Sequence, residues 1–241
     1  QRTARGARTS TRGVVAVLSV AIETATMACA VGVATDDTVI VRVVDTQRRH
    51  TETVVAALST MLGEIGARPR DIDTVVVDRG PGLFTGLRVG VATARALADG
   101  VGARLVGVTS LALYAHGAHT TGVRGELLCA VDGRRGEIFV QRFTLTDDDV
   151  TQRDEPSVAR PRDVVIEWAT NGAPVTFTGD GVARYLEDFA AVPNGEIAAQ
   201  AVPPLEAALT WGLGLEATAV TPLYLRDADA VAHFATRQTR G

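Results

Sequence analysis

The sequence predicts an α/β protein, and three observations carry that reading. Apolar β-type runs alternate with helical stretches from Ile72 onward, an antiparallel meander precedes them, and the opening pattern of strand, acidic turn and strand returns near Leu127. The meander comprises residues 14–22, 28–34 and 39–44, with Asp36-Asp37 turning the last two. Residues 52–65 set Val54, Val55, Leu58, Met61, Leu62 and Ile65 on one helical stripe, which Gly66 and Pro69 stop. A strand at 72–77, a glycine-rich loop at 80–86 and a helix at 87–99 follow. A strand at 105–108 and a helix starting at Ser110 complete the first half. The second half restarts with strand 127–131, turn 132–136 and strand 137–145. It continues with strand 175–178, the Gly179-Asp180-Gly181 turn and a helix at 182–189. Residues 146–161, polar with two prolines, read as an exposed connection. The tail offers a helix at 205–215 and an extended piece at 222–226.

The chain has 241 residues, 46% hydrophobic, enough to bury a large core. Its net charge of -4 gives no broad basic face for a phosphate backbone, so unaided nucleic-acid binding is not expected. All 24 basic residues are arginine, a bias that reads as codon usage. With no lysine there is neither a Schiff-base lysine nor a P-loop lysine. Cys29 and Cys129 lie in apolar strand runs and read as buried free thiols. Residues 1–13, with four arginines and no acid, imitate the start of a signal peptide. The apolar run after them ends at Glu23 without a cleavage context, so 1–13 is expected to be a disordered extension. No other apolar run approaches the ~20 residues of a membrane span.

Residues 79–90 are the most informative stretch, with four glycines and a proline at a strand-to-helix junction. The loop could seat a phosphate at the helix N-terminus. Alternatively, Gly86, Gly90 and Ala94, one face of the helix, serve close packing or a partner's approach. Gly86, Val89, Gly90, Thr93, Ala94 and Leu97, with Val54, Leu58 and Met61 from the preceding helix, are the expected partner interface. Glu23, Thr24, Thr26, Asp132, Gly133, Gly179, Asp180 and Gly181 are candidate vestigial nucleotide loops, with ordinary turn chemistry the favoured reading of each. Ala25 stands where a nucleotide loop would need glycine. His116 and His119, three apart, could share a metal but read as surface residues, and no Ser-His-Asp set can be assembled.

The ETAT turn at 23–26, the run GPGLFTGLRVGVATARALA after Arg79, VGVTSL at 106–111, VDGRRGEIF at 131–139 and LYLRDADA after Pro222 resemble the TsaB family, also called YeaZ. The resemblance covers about 215 residues, and the GPGxFTGLRxG run is its most specific part. It implies an ASKHA (actin/sugar kinase/Hsp70-like) fold of two related α/β halves. Those halves would be 14–108 and 109–241, with a C-terminal segment free to pack back on the first. It also implies a cytoplasmic subunit without catalytic residues or metal of its own. Such a subunit would pair with the related catalytic subunit TsaD, be joined by the ATPase TsaE, and meet tRNA only through that complex. No cofactor is expected on the chain alone, ATP or ADP belonging to the complex interface, and a homodimer is the expectation in isolation. TsaD-like proteins hold a metal with a His-x-x-x-His pair, where this sequence has Ser110 and Tyr114. Glu23 departs from the family's usual aspartate. The rival reading is an ATP-dependent small-molecule kinase or ATPase of the same fold, using Glu23, Asp132 and 179–181.

Overall fold

The protein is described by a computed structural model covering residues 17–44, 50–198, 200–217 and 219–226. The expectation for residues 1–13, the first three residues of the expected strand at 14–22 and the end of the resemblance at 227–230 lie outside the described residues. The first half contains β1 (Ser19–Glu23), β2 (Cys29–Thr35), β3 (Thr38–Val44), α1 (His50–Glu64), β4 (Thr74–Asp78), α2 (Phe84–Val101) and β5 (Arg104–Val108). These strands form a sheet in the order β3-β2-β1-β4-β5, antiparallel through the meander and parallel from β1 to β5.

α3 (Ser110–Thr120) leads to β6 (Gly125–Arg134), β7 (Glu137–Leu145), β8 (Val150–Gln152), β9 (Ser157–Ala159), α4 (Pro161–Asn171) and β10 (Val175–Thr178). Then come α5 (Asp180–Arg184), α6 (Leu186–Ala190), β11 (Gly195–Ala198) and α7 (Leu205–Ala208). The second sheet runs β11-β10-β6-β7-β8, with β9 also on β7. Read from its meander edge it repeats the first: three antiparallel strands, then two parallel ones. The recurring strand-turn-strand pattern in the sequence is therefore a repeat of topology.

Side chains alternate across the first sheet with period two, and each face meets a different cover. Val20, Ile22, Val75 and Val77 pack under α1 and α2, against Val54, Met61, Val91 and Ala94. Ala21, Ala30, Val76 and Val106 meet Leu205, Ala208 and Leu209 on the opposite face, so the segment after the second sheet returns to the first half. α3 joins the two halves: Leu113 enters the first sheet's core, while Leu111, Tyr114, Ala115 and Ala118 pack on the second. Among the described residues, no helix is long and apolar enough to cross a membrane.

Several expectations are corrected. Residues 146–161 are not merely an exposed connection, because β8 and β9 both pair with β7. α4 escapes the sequence reading; Pro161 starts it, Val164 and Trp168 bury one face, and Gly172 at φ 69° ends it. The expected helix at 205–215 is one short turn, α7, followed by a 3-10 turn at Trp211–Gly214. The expected helix at 182–189 is split into α5 and α6. Val55 leaves the buried stripe of α1 and stands 53% exposed.

Candidate functional site

The turn after β1 is closed upon itself. Glu23 Oε1 accepts hydrogen bonds from Thr26 N at 2.8 Å and Thr26 Oγ1 at 3.2 Å. Thr24 Oγ1 donates to the Gly86 carbonyl at 2.8 Å, and the Ala25 carbonyl accepts from Leu83 N at 2.6 Å. Glu23, Thr24 and Thr26 are all buried. The hydroxyls that could have met a phosphate are thus engaged within the chain.

The same contacts explain the glycines of α2. A Cβ added at Gly86 would overlap the Thr24 carbonyl oxygen, and one at Gly90 would overlap Thr24 Oγ1. Both glycines exist so that α2 can lie against the chain's own β1–β2 turn. Gly86, Gly90 and Ala94 are therefore not an open docking face, which corrects that expectation. Val54 and Met61 likewise lie at 0% exposure in the core beneath α1 and cannot meet a partner.

The loops of the second half mirror this economy. Asp132 N donates to Asp180 Oδ1 at 3.1 Å, while Asp132 Oδ1 accepts from Arg134 N at 2.9 Å. The guanidinium groups of Arg134 and Arg184 approach Asp132 Oδ2 at 3.4 and 3.5 Å. A Cβ at Gly179 would overlap the Ala130 carbonyl oxygen, Gly181 packs on the same residue, and the Gly133 carbonyl accepts from Arg226 Nη2 at 2.8 Å. Burial is the main cause that lifts the Asp180 carboxyl to about 6, and nearby Asp132 adds to it.

Ser110 and Tyr114 occupy one face of α3 and are both fully buried. Ser110 Oγ donates to Asp78 Oδ1 and the Tyr114 hydroxyl accepts from Asp180 N, at 2.9 and 3.2 Å. Burial raises the Tyr114 hydroxyl well above its usual range, with Asp180 contributing. Asp78 is the residue the sequence reading missed. Its only signal was a lone carboxyl ending the run of valines before Arg79-Gly80-Pro81. His116 stacks on Trp211 at 3.8 Å and is half-buried, correcting its reading as a surface residue, while His119 Nε2 lies 2.9 Å from the Thr146 carbonyl. The two imidazoles thus have separate partners. Among the described residues, no group of three or more His, Cys, Asp or Glu is placed to hold a metal ion. Cys29 and Cys129 are buried and unbridged.

An open feature remains on the other side of α2. Val55, Leu58, Ser59, Leu62 and Pro69 face Thr93, Ala96 and Leu97 across a groove with about 470 Å³ of free space. Of the expected interface, Leu58, Thr93 and Leu97 line it, and Val89 is half-buried on the same helix. Among the described residues, no charged side chain lines the groove. It can therefore accept an apolar surface without stranding a charge.

Comparison with known proteins places this architecture. The family model described as "TsaD: tRNA N6-adenosine threonylcarbamoyltransferase" matches residues 41–211. The tRNA threonylcarbamoyladenosine biosynthesis protein TsaB of Escherichia coli is 31% identical over 160 residues, 63% of this chain and 69% of that protein. An uncharacterized protein of Mycobacterium tuberculosis is 32% identical over 213 residues, 87% of this chain and 92% of its own length. A crystal structure from Pseudomonas aeruginosa, of an uncharacterized protein with similarity to peptidase YEAZ, superposes with TM-score 0.72 at 25% identity. It covers 87% of this chain and 100% of that one. Two sheets of one topology, joined by α3 and with the tail returning onto the first, are an ASKHA-type fold, and the chain belongs to the TsaB (YeaZ) family.

Proposed function

We propose that this chain acts in tRNA threonylcarbamoyladenosine biosynthesis as a partner subunit that docks TsaD through the groove between α1 and α2. The observation that carries the reading is the contrast between that groove and the loops. The candidate nucleotide loops spend their polar groups on the chain's own backbone, whereas the groove leaves apolar side chains unfilled. The family supplies the pathway, through the TsaB of Escherichia coli.

A supporting role also fits α3. Where TsaD-like relatives have a pair of imidazoles, Ser110 and Tyr114 are internal hydrogen-bonding residues. A kinase or ATPase reading would require Glu23, Thr24 and Thr26 to be released from their present partners, so it is not favoured. Reconstitution tests the proposal: TsaD and TsaE are incubated with ATP, threonine, bicarbonate, the enzyme that makes threonylcarbamoyl-adenylate, and unmodified tRNA. Modified adenosine should form with this chain present and fall to background without it. Equal modification in both reactions, or modification by this chain without TsaD, would contradict the role.

A further inference from the structure

Glu23 ends β1 and Asp78 ends β4. The strands run parallel with Ile22 beside Val77, so the two carboxyls leave neighbouring strand ends on the same sheet face. Each spends one oxygen. Glu23 Oε1 is held by Thr26, and Asp78 Oδ1 accepts from Gly80 N at 2.8 Å and Ser110 Oγ at 2.9 Å. The other two oxygens, Glu23 Oε2 and Asp78 Oδ2, are buried without a hydrogen-bond partner among the described residues, in residues only 0% and 1% exposed. Two adjacent carboxylates in that state would lose their hydration and repel each other. If one keeps its proton and donates it to the other, both difficulties are removed.

We propose that Glu23 and Asp78 share a single proton, forming an acid–carboxylate pair that clamps the turn at 23–26 to the end of β4. The turn is the seat of α2, since Thr24 packs on Gly86 and Gly90. The clamp therefore sets where one wall of the groove stands.

The surroundings favour retention of the proton. Asp180 from α5 and Tyr114 from α3 face the pair, Cys29 on the other face of β2 feels the charge of Glu23, and Asp132 stands behind Asp180. Arg79, beside Asp78, is the cation that opposes it. Burial pushes the Asp78 carboxyl up to about 7, and burial together with Asp78 holds Glu23 well above the usual carboxylate range. Because these folded values exceed the unfolded ones, folding takes up a proton. The pair's contribution is complete below the ordinary carboxylate range and is lost as pH rises from there through about 7.

The full chain can be tested by infrared difference spectroscopy and by urea unfolding between about pH 5 and about pH 8, a span bracketing these values. The wild type should show the C=O band of a buried protonated carboxyl at neutral pH. Glu23→Gln and Asp78→Asn should each abolish it, because an amide N–H donates where the shared proton did. Relative to wild type, the urea midpoint of each variant should rise as pH increases. Absence of the band in the wild type, a measurement that needs no variant to fold, would overturn the proposal. So would unfolding midpoints of both variants that track the wild type across the whole range.

Discussion

The two sides of α2 are built from similar small residues and do opposite things. Gly86, Gly90 and Ala94 on the inner side are buried against the β1–β2 turn and the first sheet, whereas Thr93, Ala96 and Leu97 line an open groove. A small residue reports that something comes close; only exposure reports whether that something belongs to the same chain.

The largest expected effect lies on the inner side. Gly90→Arg forces a long side chain into the space held by Thr24, and overpacking of this kind costs typically 1–3 kcal/mol and more when no rotamer escapes. The isolated chain should melt many degrees lower, at roughly 2–4 °C per kcal/mol for a chain of this size. A thermal scan unchanged from wild type would mean that Gly90 faces outward after all.

A smaller loss is expected from Thr24→Val, which removes the hydroxyl donated to the Gly86 carbonyl; that carbonyl keeps its place in the α2 ladder, so the cost is one buried hydrogen bond, about 1 kcal/mol. Urea unfolding checks it, and a change below a few tenths would detach α2 from the turn. Tyr114→Phe deprives Asp180 N of its acceptor and should cost about 1 kcal/mol, without affecting docking to TsaD. A docking defect in that variant would connect α3 to the interface. The smallest effect belongs to Glu64→Gln, which breaks an exposed pair with Arg42 worth less than about 1 kcal/mol.

Much of the architecture was legible because strands and turns announce themselves locally. The first meander, the parallel strands β4, β5 and β10 and the β6–β7 hairpin all follow from apolar runs bounded by turn residues, whereas β11, four residues long and only partly buried, gave no such run. Four features were hidden by their dependence on distant neighbours. β8 and β9 are three-residue strands with little apolar signal, ordered by pairing with β7. Val55 shares its helical stripe with Leu58 and Leu62, yet no element among the described residues covers it. The role of Gly86 depends on Thr24, 62 residues earlier, and no spacing rule within α2 reveals that contact. Asp78 was missed for the same reason, since its significance comes from Glu23 on the neighbouring strand.

The most direct test of the account is the affinity for TsaD of a variant on the outer side of α2. Ala96→Arg places a charge in the groove without disturbing the core, because Ala96 is exposed. By calorimetric titration, the variant should bind TsaD at least tenfold more weakly, about 1.4 kcal/mol, while its thermal midpoint stays at that of the wild type. Wild-type affinity in a variant of unchanged stability would contradict the groove as the docking site.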